Sequence, residues 1–237
     1  MKIFSAAPII AIFGGKASAF DISIHEDITQ LLEGEEYENL KFRQVALDQV
    51  RSSNANTDYL GFANAVNHCD SELLSECSQK IVNDLNRAAN FLRESPPNGN
   101  EARKAFGSAI HTGQDFYAHS NWANVYTDAT IETRLGVSAL ANPPLATAFC
   151  ENDDGGALLP NPERVITTGY FYFSCFSDPP QGKCIHGYKG ITSPPFCRAR
   201  NGINKDNGSI VLHDRALSQA TQVRLFIQKI SCFIIAR

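Results

Sequence analysis

The 237-residue sequence contains no C-x-x-C pair, no cluster of lysine and arginine, no internal repeat and no low-complexity tract. Each absence removes a class of protein. Without closely paired cysteines a zinc–thiolate site is disfavoured, because such sites usually draw sulfur ligands from short C-x-x-C turns. Without a basic stripe the chain offers no broad surface for duplex nucleic acid, although a metal site can still take individual phosphates. The apolar run from Ile3 to Phe13 falls well short of the roughly 20 residues that a membrane-spanning helix needs. Charged residues are 19% of the chain and hydrophobic residues 43%, which excludes a disordered polymer and describes a globular protein with a core. At this length one domain is expected.

At the N-terminus, Lys2, the apolar run and the small residues Ala17-Ser18-Ala19 follow the order of a secretory signal peptide. Residues 1–19 are expected to be removed and residues 20–237 to form the mature domain, secreted or periplasmic. Cleavage takes away Lys2 and Lys16 and no acid, which moves the net charge from −4 to −6. In an exported chain the seven cysteines read as disulfide-forming. Spacing favours local bridges between Cys69 and Cys77 and between Cys175 and Cys184. Other connectivities stay open, and the odd count leaves at least one thiol over.

Hydrophobic periodicity predicts helices over about residues 23–32, 39–52 and 72–93. Ser95-Pro96-Pro97-Asn98-Gly99 then breaks the chain, and a fourth helix is expected from Asn100 as its N-cap. A last helix is expected over about 210–235. Between about Asn142 and Gly208, proline, glycine, asparagine and aromatic residues predominate, with one strand-like run from Val165 to Phe176. The predicted fold is all-α: a helical bundle holding a metal cluster between helices, with a long, loop-rich, cysteine-containing insertion before the C-terminal helix.

The fourth helix runs into HTGQDFYAHSNW. Positions four apart on a helix drift only about 40° around the axis, so His111 and Asp115 share a face and can grip one ion. His119 lies about 12 Å of helix rise beyond His111, so it serves a second ion or reaches back after the helix ends. Imidazole nitrogen and carboxylate oxygen are ordinary zinc ligands. His and Asp at this spacing also arise by chance on solvated faces, but here small residues (Gly113, Ala118, Ser120) alternate with bulky ones (Phe116, Tyr117, Trp122), which suits a half-buried site. Phe116, Tyr117, Trp122 and Tyr126 could line an apolar approach for a lipid; aromatic residues at this density also read as plain core. His25, His68, His186 and His213 are the other histidines, and Asp58 lies in NANTDY. Taken singly, His25, Asp58, His68 and His213 are each more often capping or hydrogen-bonded residues than ligands, and His186 reads equally well as a loop histidine.

AFGSAIHTGQDFYAHSNW, with IHEDIT, SSNANTDY, NHCDSE, TTGYF, KCIHG, GINKD and LHDRALSQAT in order, resembles the Het-C heterokaryon-incompatibility family. Het-C-like proteins in turn resemble the zinc-dependent phospholipase C and single-strand nuclease superfamily, an α-helical fold with a three-zinc cluster. The resemblance implies that His68, His111 and Asp115 hold one zinc, with Asp115 bridging to a second held by His25 and the mature N-terminal residue, Phe20. Asp58 would be a ligand or the catalytic acid that orients the attacking water. His119 and His213 would hold a third zinc. The superfamily's acid four residues after its last histidine is replaced by Leu217, so Asp206 or His186 would have to complete that set.

The function implied is a secreted, zinc-dependent phosphodiester hydrolase with two or three Zn2+ ions, a phospholipase C-like enzyme or toxin acting on phospholipid membranes. A single-strand nuclease is the alternative within the superfamily, and a non-catalytic, metal-stabilised membrane-interaction protein is the alternative outside it. An α-amino group with a pKa of about 7.7 to 8.0 deprotonates easily beside a dication, so cleavage before Phe20 would create a ligand absent from the precursor. Native mass spectrometry should therefore count less zinc in a form extended before Phe20 than in the mature chain; equal zinc content in both would remove Phe20 from the ligand set.

Overall fold

A computed structural model describes residues 22–34, 42–61, 63–126, 130–151, 158–171, 179–187, 202–203, 205 and 212–235, with backbone alone for 224–226 and 228–235. Six α-helices run through these residues: α1 Ile22–Gln30, continued by a 3-10 turn Leu31–Gly34; α2 Gln44–Gly61; α3 Leu74–Arg93; α4 Gly99–His119; α5 Trp122–Val125; and α6 His213–Ile235. The all-α expectation holds. No described helix is long and apolar enough to cross a membrane.

Helix α4 is the axis of the bundle, with α2, α3 and α6 packed around it. Every residue from Ala109 to His119 is buried, so this stretch is interior on all sides, including its polar positions. The helix begins one turn on from the Pro96-Pro97 break, with Asn98 rather than Asn100 as N-cap: its side chain accepts a hydrogen bond from the Glu101 backbone N–H at 3.3 Å. Phe116, Tyr117 and Trp122 are core residues, 0%, 0% and 4% exposed. The Trp122 indole donates to the Thr130 carbonyl at 2.9 Å, and the Tyr117 hydroxyl accepts from the Glu132 N–H at 3.0 Å.

Two helix boundaries differ from expectation for reasons that bear on function. Helix α2 continues to Gly61 rather than stopping near Ser52, although Asn54, Asn56, Thr57 and Asp58 are poor helix formers. Tertiary bonds override propensity here, because Asn54 and Asp58, one turn apart on the same face, are buried against α4. Helix α3 starts at Leu74 rather than residue 72, because Cys69, Ser71 and Glu72 adopt positive φ angles of 53°, 59° and 59°.

The described part of the segment with the strand-like pattern, residues 165–171, is not a strand. It makes only isolated bridges, Thr168 with Ser120 and Tyr170 with Ile185. The backbone groups of 167–170 bond to several different segments: Asn121 N–H to Thr167 C=O at 3.0 Å, Ser71 N–H to Gly169 C=O at 2.8 Å and Gly169 N–H to His119 C=O at 3.1 Å. No single partner is left for a ladder, and residues 172–176 lie outside the described residues. Cys69 and Cys77 form the expected bridge, whereas Cys184 is joined to Cys150 and not to Cys175. The Phe149 and Cys150 N–H groups both donate to the Gly182 carbonyl, which brings those distant segments together. Cys175 itself lies outside the described residues.

Where α2 crosses α4, Gly107 lets the backbones meet: an added Cβ would lie 2.5 Å from the Val50 carbonyl oxygen and 2.7 Å from Ser53 Cβ. Neither atom is the end of a flexible chain, so the helices would have to separate. Gly107→Ala should lower unfolding stability by about 1 to 3 kcal/mol, measured by denaturant titration, whereas a change within 0.5 kcal/mol would mean the crossing yields easily.

Candidate metal centre

Four segments converge on the Asp115 carboxylate. His25 from α1 places Nε2 3.0 Å from Asp115 Oδ1. His68, from the turn before α3, places Nδ1 2.7 Å from Oδ2, and His111, one turn back on α4, places Nε2 3.0 Å from Oδ2. His111 Nε2 is 3.4 Å from His68 Nδ1. Asp58 from α2 closes the group: one ligand atom each from Asp58, His68 and His111 lies within 4.8 Å of the others, as is true of His25, His111 and Asp115. All five side chains are buried, Asp115, His25 and His111 completely.

An outer ring of acceptors sets the orientation of each imidazole. His25 Nδ1 bonds Gln114 Oε1 at 2.6 Å, His111 Nδ1 bonds Asn54 Oδ1 at 3.0 Å, and His68 Nε2 bonds the Gly61 carbonyl at 3.3 Å. A carbonyl oxygen only accepts, so in each case the outer nitrogen carries the proton. The amide orientations agree, because Asn54 Nδ2 donates to Thr29 Oγ1 and to Gln114 Oε1. In the neutral ring the inner nitrogen is then a lone pair, and all three point at one carboxylate. This is the arrangement of metal-bound histidines whose other N–H is held by a neighbour.

The electrostatics without a cation are those of a crowded charge. Burial works against charging His25, but attraction to Asp115, with help from Asp58, outweighs it and lifts the pKa to about 9. Burial likewise opposes His68, and its bond to Asp115 leaves it raised. His111 goes the other way: burial, against the pull of Asp115 and with repulsion from His25, pushes it down to about 3. Burial alone would raise Asp115, yet His111 and His25 hold it well below the usual carboxylate range. A neutral His111 therefore turns a lone pair towards a carboxylate oxygen 3.0 Å away, a repulsive contact that a shared cation would reverse. Bonds of about 2.0 to 2.1 Å at tetrahedral angles put neighbouring ligand atoms about 3.3 Å apart, and the separations here are close to that.

The other expected site residues are distributed as follows. His119 Nδ1 lies 3.0 Å from the His68 carbonyl and 3.0 Å from Asp70 Oδ1, and His119 Nε2 lies 3.1 Å from His186 Nε2. His213 places Nδ1 2.7 Å from the Lys205 carbonyl and joins none of the three-ligand groups found among the described residues. Phe20 and Asp206 lie outside the described residues. Asn54, Gln114, the Gly61 carbonyl and Asp70 escaped the sequence reading. Asn54 had a legible signal, its four-residue spacing from Asp58 in NANTDY; Asp70 sits in an irregular turn with no periodicity to reveal it.

These features define a helical domain organised around a buried histidine–carboxylate cluster. Residues 23–229 match the family model described as the VWA7 N-terminal domain, and the chain belongs to that family. It is 30% identical to mouse von Willebrand factor A domain-containing protein 7 over 230 residues, 90% of this chain and 24% of the relative. The rat protein of that name is 29% identical, covering 84% of this chain and 23% of the relative, and the human one is 30% identical, covering 71% and 19%. The chain thus spans about a quarter or less of these relatives. No solved structure matches it.

The comparisons overturn the Het-C resemblance and the phospholipase C or nuclease function drawn from it, because the matching family and relatives are VWA7 proteins. The reason is physical: any α-helix presenting ligands to ions needs them at multiples of about four residues, so such a motif reports helix pitch and not descent.

Proton linkage gives two opposite pH trends. Without metal, His25 is raised above its unfolded value of about 6.5, so its contribution to stability is complete below that pH and lost as pH rises through about 9. A cation at these nitrogens would displace the same protons, so its affinity would rise over that window. Thermal melts from pH 6.5 to 9 should show the metal-free chain losing stability while the gain from added Zn2+ grows; parallel curves would contradict the linkage.

Proposed function

We propose that this domain is a divalent-metal-binding module, with Zn2+ drawing its ligands from His25, His68, His111, Asp115 and Asp58, and that bound metal cross-links α1, α2, α4 and the turn before α3. The observation that carries the reading is the set of three imidazoles, each fixed by an outer acceptor so that its inner nitrogen faces Asp115. The donor set favours zinc or a neighbouring transition metal over Ca2+ or Mg2+, which prefer oxygen alone. Burial of every ligand-bearing side chain favours an ion that joins the helices, since catalytic zinc sites keep a coordination position open to solvent.

The same reading places the domain in an oxidising compartment, supported by the Cys69–Cys77 and Cys150–Cys184 disulfides and by the signal-like N-terminus.

Chelator-stripped protein, reloaded with Zn2+ and counted by plasma mass spectrometry, should recover bound zinc and melt roughly 10 °C higher, as expected for an ion near a thousandfold above its Kd. Ca2+ should leave the melting temperature unchanged. In Asp115→Asn, added Zn2+ should raise the melting temperature far less. A wild-type chain that retains no zinc after reloading, or melts identically with and without chelator, would refute the proposal.

A further inference from the structure

A second group of titratable side chains lies outside that centre and uses none of its residues. Asp70, His119 and His186 come from the turn before α3, the last residue of α4 and the insertion, and one ligand atom of each lies within 4.8 Å of the other two. Asp70 and His119 are each 1% exposed and His186 is 4% exposed.

The tautomer argument applies here independently. His186 Nδ1 bonds the Gly187 carbonyl at 2.9 Å, and His119 Nδ1 bonds the His68 carbonyl at 3.0 Å. Both partners only accept, so both Nδ1 atoms carry the proton. In the neutral rings both Nε2 atoms are then lone pairs, and they face each other at 3.1 Å. The distance is close to the spacing of about 3.3 Å that two imidazole ligands adopt on one tetrahedral zinc ion. Asp70 Oδ1 supplies the negative charge: it lies 3.0 Å from His119 Nδ1 without hydrogen-bond alignment, so that contact does not consume it.

The backbone supports the same conclusion. Cys69, Ser71 and Glu72 all lie in the left-handed region, and non-glycine residues there cost on the order of 1 kcal/mol or more each. The strained turn is held by the Cys69–Cys77 disulfide, the Ser71 N–H to Gly169 C=O bond, and the Glu72 N–H to Thr168 Oγ1 bond at 2.8 Å. Buried Lys183 adds an ion pair to Glu72 Oε2 at 2.8 Å. Strain of this density, pinned from several sides, occurs where a backbone must aim side chains; here it sends His68 to one cluster and Asp70, two residues on, to the other.

We propose that Asp70, His119 and His186 form a second, separate transition-metal site, with a Zn2+-class ion bound between the two Nε2 atoms and the Asp70 carboxylate. The full chain, stripped and reloaded with 113Cd2+, should show ring protons of His119 and His186 scalar-coupled to one cadmium signal, distinct from that of the Asp115 centre. Native mass spectrometry after Zn2+ loading should show His186→Gln and the isosteric Asp70→Asn each binding one ion fewer than wild type, with far-UV circular dichroism unchanged. Asp115→Asn should keep the cadmium signal coupled to His119 and His186, which separates failure of this site from failure of the first. A wild-type cadmium spectrum lacking coupling to these two rings would overturn the proposal and leave a shared proton between them as the explanation. Unchanged zinc stoichiometry in folded His186→Gln and Asp70→Asn would overturn it equally.

Discussion

The Asp115 carboxylate sits at zero exposure one turn from the C-terminal end of the central helix, and a charge in that position must be compensated within the protein. Without a cation, His25 from α1 and His68 from the turn before α3, both with raised pKa, do this, while His111 of α4 approaches the same carboxylate as a third imidazole. Their convergence requires α1, α2 and α4 to lie close together, and Gly107 lets α2 approach α4 at backbone distance. The polar half of α2, which reads as poor helix, becomes helical because Asn54 and Asp58 are needed on the face turned towards Asp115.

Around the inner groups is a layer of oxygens that accept hydrogen bonds from the rings. Asn54, Gln114 and the Gly61 carbonyl set three tautomers; the Gly187 and His68 carbonyls set two more. The His68 backbone thus serves one cluster while its ring serves the other. The insertion, which lacks regular structure in its described residues, supports this layer. It carries His186, accepts hydrogen bonds from the strained turn at Gly169 C=O and Thr168 Oγ1, and packs Lys183 against Glu72.

Membership of the VWA7 N-terminal domain family changes how the central motif should be read. HTGQDFYAHSNW resembles a hydrolase signature because helix pitch imposes the same ligand spacing on unrelated chains. In this chain the whole cluster is buried, and each of the three imidazoles around Asp115 is held by an outer acceptor.

The helices, the break at Pro96-Pro97, the irregular insertion and the pairing of His111 with Asp115 could all be read along the chain, because each depends on periodicity or on a local turn. The Cys69–Cys77 bridge was legible for the same reason. Asp70, the Cys150–Cys184 pairing, the length of α2 and the irregular backbone of residues 165–171 could not, since each is decided by partners dozens of residues away. Which histidines share a cluster was likewise settled only in three dimensions. Spacing places His111, Asp115 and His119 on one helix, but the direction in which each ring presents a lone pair depends on an acceptor brought to its far side by the folded chain.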